Sequence, residues 1–217
     1  MKVPIEDVEV IIWDVDGTLY ELSEALSRDV RESEYLAIEK HTGWERAKTE
    51  EEFLKMYKKV TPSATEVVAL ICNIPTFQAA VETEQFLDRL KYLSRDEKLV
   101  ALFEELRGFR HFILANGAKK NIGDALKALG IPISTFDEIV TSEVVGVNKP
   151  KDDGFLYILE KTSLPPSQHL MVGDREVVDL MPARKLGMKT CLVGSIKPSM
   201  VADITVPTVY DLAQIIL

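Results

Sequence analysis

Of 217 residues only 2 are cysteine and 3 are histidine. Cys72 and Cys191 stand far apart in apolar surroundings, which excludes a disulfide framework and a sulfur-rich metal site, and points to buried, reduced thiols in a cytoplasmic protein. His41, His111 and His169 are scattered singly and make no metal set, so structural or exposed roles are expected of them. Positive charge is also scarce: 26 Lys and Arg stand against 35 Asp and Glu, a formal charge of -9. A general grip on nucleic acid phosphates is thereby excluded. No apolar run reaches the length of a membrane span, and acidic residues interrupt the N-terminal apolar stretch before it takes signal-peptide form. Internal repeats and low-complexity segments are lacking too. What is present, 46% hydrophobic and 28% charged residues, is ordinary for a globular chain of one large domain, or one domain with a small insertion.

Short apolar runs recur at 8–13 (VEVIIW), 111–114, 139–141, 169–172 and 190–193. Each has the length and β-branched character of a buried parallel strand. Helical patterns lie between them: 94–107, where Ser94 and Glu97 read as a capping box; 119–129, stopped by Gly130; 152–161; and 177–186, closed by Gly187. Strands alternating with single helices predict an α/β core, a doubly wound, Rossmann-like parallel sheet covered on both faces. Residues 21–93 break the alternation with helical spacing at 23–40, 44–59, 63–71 and 76–93, punctuated by Gly43, the Thr61-Pro62-Ser63 turn and Pro75. They predict a small all-helical domain inserted after the first strand, leaving 1–20 and 94–217 as the α/β core.

Ligands of open α/β sheets lie at the carboxyl ends of the strands, and acids recur there. The first strand runs into Asp14-Val15-Asp16-Gly17-Thr18, which in extended chain turns both carboxylates to one side. The fourth runs into Gly173-Asp174, with Asp179 five residues on. Four converging carboxylates repel one another unless a cation lies among them, and oxygen-only ligands favour Mg²⁺. A carboxylate beside that metal can serve as nucleophile and its neighbour can handle the proton. Gly17 lets backbone N–H groups approach an anion. A phosphoryl group also needs a fixed positive charge, for which Lys149, before Pro150, is the candidate. Asn116-Gly117, past the second strand, offers an amide to orient substrate or nucleophile, and Thr18 a hydroxyl near the phosphate.

The series Asp14-Val15-Asp16-Gly17-Thr18-Leu19-Tyr20, Ala115-Asn116-Gly117, Lys149-Pro150, and Gly173-Asp174 with Asp179 resembles the haloacid dehalogenase-like hydrolase superfamily over essentially the whole chain. The resemblance implies a phosphatase with Asp14 as nucleophile and Mg²⁺ ligand. It implies Asp16 as general acid and base, its backbone carbonyl reaching the metal. Asp174 and Asp179 would hold Mg²⁺ or its waters, and Lys149 would stabilise the nucleophile and the transferring group. Gly17, Thr18, Asn116 and Gly117 would contact the substrate, a small-molecule phosphate ester. The insertion at 21–93 is placed like the family's helical cap, which closes over the site and selects substrates.

One departure stands out: Ala115 occupies the place where the family has Ser or Thr, whose hydroxyl donates to a phosphoryl oxygen. Losing one such donor costs about 10²–10³ in rate. The alternatives are a phosphomutase of the same fold, or, given Ala115, a weakly active or non-catalytic phosphate-binding regulatory protein. A dehalogenase is disfavoured by the acid at position 16. Nucleotide and sugar phosphates are the expected substrates, Tyr20 resembling the nucleotidase-like members, and the oligomeric state is not legible. Plain structural readings go to Trp13 as core and to Met171 and Met181 as fillers of sheet–helix gaps.

Overall fold

The computed structural model describes residues 7–59 and 63–217. Its strands are β1 Val10–Trp13, β2 Arg110–Leu114, β3 Glu138–Val140, β4 His169–Gly173, β5 Lys189–Val193 and β6 Ile204–Val206. All pair in parallel, in the order β3-β2-β1-β4-β5-β6. The order reverses at β1, where Trp13 lies opposite Ile113 of β2 on one side and Val172 of β4 on the other. Such a switch point leaves a crevice beyond the strand ends.

Helices α1 Glu24–Thr42, α2 Arg46–Tyr57, α3 Ala64–Cys72 and α4 Thr76–Glu84 follow β1, and α5 Glu97–Glu105 precedes β2. Next come α6 Lys119–Leu129 before β3, and α7 Ser142–Val145 and α8 Asp153–Thr162 before β4. A π-helical turn, Glu176–Leu180, runs into α9 Met181–Lys185 before β5, and α10 Ala213–Ile216 follows β6. Side chains alternate across the sheet as the strand period requires. Ile11 and Trp13 pack on one face with Leu102 and Phe103 of α5 and Leu126 of α6. Val10 and Ile12 pack on the other with Phe155 and Ile158 of α8 and Ala183 of α9. Each large side chain so buried contributes about 1.5–3 kcal/mol. The doubly wound α/β expectation holds.

Helices α1–α4 surround a separate apolar cluster that includes Ile38, Phe53, Val67, Val68 and Ala79. Ser23 and Ser63 cap α1 and α3, each accepting a backbone N–H at its side-chain oxygen. Thr61 and Pro62 of the expected turn lie outside the described residues. No single described helix is long and apolar enough to cross a membrane.

Several expectations need correction. The helix expected over 76–93 ends at Glu84, and the chain resumes as a 3₁₀ turn, Arg89–Tyr92, which buries Arg89 against Glu84 and Asp16. The cap of α5 is Asp96 rather than Ser94, because Asp96 Oδ1 accepts from the N–H groups of Lys98 and Leu99 at 2.9 and 3.0 Å. The helix expected over 177–186 begins as the π turn. Met181 is half exposed and fills no gap, whereas Met171 is buried. Strand β6 was not expected: three residues between Asp203 and Pro207 are too short a run to mark a strand, and pairing with β5 defines it.

The histidines are structural among the described residues: His111 accepts from Trp13 Nε1 at 3.1 Å, His169 bonds Thr162 at 2.8 Å, and His41 pairs with Glu82. Both cysteines are free thiols, Cys191 buried and Cys72 partly so. Burial pushes them up to about 12 and about 11 respectively.

Candidate active site

β1 delivers Asp14 to the sheet edge, where its N–H donates to Val172 O of β4 at 2.9 Å. The chain then turns tightly, with Gly17 N on Tyr20 O and Leu19 N on Val15 O. Gly17 has φ 84°, and a Cβ there would lie 2.5 Å from Asp174 Oδ2. The glycine serves both the left-handed turn and the approach of the first and last acidic motifs.

Asp14, Asp174 and Asp179 each bring a carboxylate oxygen within 4.8 Å of the others. Lys149, 2% exposed, places Nζ 2.7 Å from Asp14 Oδ1 and 2.6 Å from Asp179 Oδ1. Thr18 donates to Asp14 Oδ2 at 3.3 Å. Asp179 also accepts the Arg175 N–H at Oδ2, 3.2 Å. The π turn aims its side chain back at β4, where a Cβ on Gly173 would meet Asp179 Cβ at 2.6 Å.

Electrostatics follow from this crowding. Burial acts against the Lys149 charge, but Asp14 and Asp179 outweigh it and hold its pKa above the usual lysine range. Burial raises Asp14, with Lys149 opposing. Burial, then the charges of Asp14 and Asp179, push the Asp174 carboxyl up to about 7. Asp174 Oδ1 is buried without a hydrogen-bond partner. Arg175 Nε approaches that oxygen only to 3.7 Å; three carboxylates with one oxygen lacking a hydrogen bond are a donor set that fits a hard divalent cation.

Asp16 stands apart from the cluster expected of four carboxylates, because its Oδ1 accepts from Arg89 Nη1 at 2.5 Å and from the Tyr20 hydroxyl. Its Oδ2 makes no hydrogen bond among the described residues. Arg89 also pairs with buried Glu84, which accepts from Asn121 Nδ2 at 3.1 Å. Asn116 was expected to contact substrate or nucleophile, but its amide clamps the backbone of Lys149: Nδ2 donates to Lys149 O at 3.0 Å and Oδ1 accepts from Lys149 N at 2.8 Å. The amide thus positions Lys149, while Asn116 also lines the cavity. Ala115 is buried in the core beside β2, and its N–H bonds Val140 O at 3.1 Å.

A cavity of about 290 Å³ lies between these strand ends and helices α1, α3 and α4. Asp14, Asp16, Asn116, Gly117 and Arg175 line its core side. Arg175, Arg89 and the polar residues of α1 and α4 were missed by sequence reasoning. Arg175 follows Gly173-Asp174 directly and was findable; Arg89 lies 73 residues from Asp16, with no signal linking them.

The sequence model of the haloacid dehalogenase-like hydrolases matches residues 8–187. A glyceraldehyde 3-phosphate phosphatase of Methanopyrus kandleri is 27% identical, over 84% of this chain and 82% of its own length. One of the same name from Methanocaldococcus jannaschii is 32% identical over 50% of each chain, so this match spans about half of that relative. The crystal structure of a HAD phosphatase from Thermococcus onnurineus superposes with TM-score 0.70 at 22% identity, covering 96% of this chain and 97% of that one.

Proposed function

The chain belongs to the haloacid dehalogenase-like hydrolases, and on that footing we propose that it is a Mg²⁺-dependent phosphatase acting on a small phosphomonoester through an aspartyl-phosphate on Asp14. The observation that carries this reading is the setting of Asp14: a buried carboxylate facing the cavity, 2.7 Å from Lys149 Nζ, with two further carboxylates within 4.8 Å. The names of the relatives, phosphatases in two archaea, favour the same activity.

Asp14, Asp174 and Asp179 would hold Mg²⁺, together with the Asp16 carbonyl that the family resemblance implies. When bound, the ion neutralises phosphoryl charge and draws the anionic ester against an acidic edge. Lys149 and Thr18 hold the two Asp14 oxygens in fixed places, so the nucleophile is oriented before the ester arrives. An Asp14 oxygen attacks phosphorus, and the bond from phosphorus to the alcohol oxygen breaks. Asp16 gives that oxygen its proton from Oδ2, while Arg89 and Tyr20 steady Oδ1. In the second step Asp16 takes a proton from water, whose oxygen attacks the aspartyl-phosphate, and phosphate and free Asp14 result. Lys149 offsets the charge that develops on the transferring group. Backbone N–H groups of Asn116 and Gly117 stand in for the hydroxyl missing at Ala115. Helices α1–α4, within 21–93, act as the cap that excludes water from the site.

The test is phosphate release from a panel of nucleoside monophosphates, sugar phosphates, phosphoglycolate and p-nitrophenyl phosphate, with Mg²⁺ and with EDTA. Release that EDTA stops, and that falls by about 10³-fold or more in Asp14→Asn protein of unchanged circular dichroism, is expected. Full activity in Asp14→Asn would overturn the mechanism.

A further inference from the structure

The cavity has a second wall, and the chemistry proposed above uses none of it. Opposite the catalytic acids, α1 and α4 present Glu34 and Thr83, with Arg31 beside Glu34 and apolar Leu22, Val30, Ala80 and Leu87 around them. Glu34 is 5% exposed. Its Oε2 lies 3.0 Å from Arg31 Nη1, yet neither atom makes a hydrogen bond, because the geometry is wrong for one. Glu34 Oε1 has no hydrogen-bond partner among the described residues. Thr83 Oγ1 is buried and equally without a partner. Of the other hydroxyls on this wall, Ser33 donates to Val30 O at 2.7 Å and Ser63 accepts from Glu66 N at 3.3 Å, while Ser27 and Thr65 line the cavity without being among its buried unpaired groups.

Buried polar groups that the protein leaves unpaired are groups that a ligand can pair. We propose that Glu34 and Thr83 determine specificity for the leaving group, and that this group is a short hydroxylated carbon chain, as in a small polyol or sugar phosphate. The proposal rests on the phosphatase reading and names its substrate class.

Three features select this class. An acceptor such as the Glu34 carboxylate requires a donor from the ligand. Arg31 already supplies the opposite charge at 3.0 Å, so a neutral hydroxyl fits better than an ammonium. No aromatic side chain lines the cavity among the described residues, which leaves a nucleobase nothing to stack on. Tyr20, which in the sequence suggested nucleotides, has its hydroxyl on Asp16 and Arg89 and does not line this space. The volume, about 290 Å³, lies at the lower end for small-molecule sites. Burial also pushes the Glu34 carboxyl up to about 7, Arg31 opposing, so near neutrality it offers acceptor and donor forms to a hydroxyl.

The experiment compares two esters of one carbon skeleton, glycerol 1-phosphate and n-propyl phosphate, by kcat/KM in the wild type, Glu34→Ala, Glu34→Gln and Thr83→Val. A site built around substrate hydroxyls should prefer the glycerol ester by about 10²-fold or more. That ratio should fall at least about tenfold in Glu34→Ala and in Thr83→Val. Glu34→Gln, which keeps an acceptor oxygen, should retain part of it, and it carries the test should the alanine variant not fold. A wild-type ratio within about threefold, or a ratio untouched by the variants, would overturn the inference while phosphate release left the phosphatase reading standing. Should neither ester release phosphate, calorimetric binding of the same pair to the Asp14→Asn protein decides, and the panel above decides the phosphatase reading separately. Tighter binding of the glycerol ester, lost on adding Glu34→Ala, sustains the proposal, and equal binding overturns it.

Discussion

Gly17 illustrates how much of the site depends on single residues. It adopts φ 84°, and the space a side chain would need is taken by the carboxylate of Asp174. Gly17→Ala must therefore bear both a left-handed backbone and a displaced Asp174, one of the acids proposed to hold Mg²⁺. A destabilisation of about 1–3 kcal/mol is expected from the backbone alone, read by urea unfolding. Mg²⁺ affinity measured by titration should fall as well, and an alanine variant with native stability and native affinity would refute this account. Asn116 makes a different point at the same scale. Sequence position suggested a ligand to substrate, but both ends of its amide hold the backbone of Lys149. Its side chain acts through the lysine it positions, which leaves its backbone N–H at the cavity.

Among the elements, the 3₁₀ turn Arg89–Tyr92 has the clearest consequence. Helix propensity favours continuing α4 through this region, and the chain instead breaks so that Arg89 reaches Asp16, Tyr20 and Glu84 together. The Arg89 and Glu84 side chains are each only 9% exposed. Removing one partner of such a pair leaves a buried charge, so Arg89→Ala is expected to cost about 3–5 kcal/mol in a denaturant melt. The double variant Arg89→Met with Glu84→Gln should recover much of that loss, since the acid left without a partner is then Asp16, which is 38% exposed and reaches water. Equal losses in the single and double variants would show that packing rather than charge holds this turn. The π turn at Glu176–Leu180 plays a comparable part for Asp179, whose two oxygens join Lys149 to the Arg175 backbone.

For the whole molecule, the six-stranded order β3-β2-β1-β4-β5-β6 places the ends of β1 and β4 side by side. The carboxylate of residue 14 thus meets those of 174 and 179 although far from them in the chain. Their repulsion makes the folded state a better binder of a divalent cation than the unfolded chain, in which the acids are dispersed. Mg²⁺ should accordingly stabilise the fold, by about 2.7 kcal/mol at a hundredfold excess over Kd, a rise of several degrees in Tm for a chain of this size. EDTA should reverse the rise, and Asp174→Asn should lack it. A shift of equal size in that variant would place the cation elsewhere.

Much of this was legible in the amino-acid order because it depends on local chemistry. Strand periodicity and the glycine stops at Gly130 and Gly187 each act within a few residues. The motif Asp14-Val15-Asp16-Gly17-Thr18 carries its own strand end and turn. Lys149 was identifiable only through its place in a series of motifs, yet it was identified. Helix boundaries beyond Glu84, the Asp96 cap and strand β6 were not, because competing local preferences there are settled by partners distant in sequence. The same reason separates Asp16 from the other acids: extended geometry turns both motif carboxylates one way, and only Arg89 and Tyr20 draw the second aside. Sequence alone thus determined the fold class and the family, and singled out the acids and lysine of the proposed chemistry, whose signals are contiguous. Tertiary structure alone decided what faces them across the cavity, Glu34 and Thr83 among those residues, since which side chains meet over a site depends on packing between elements.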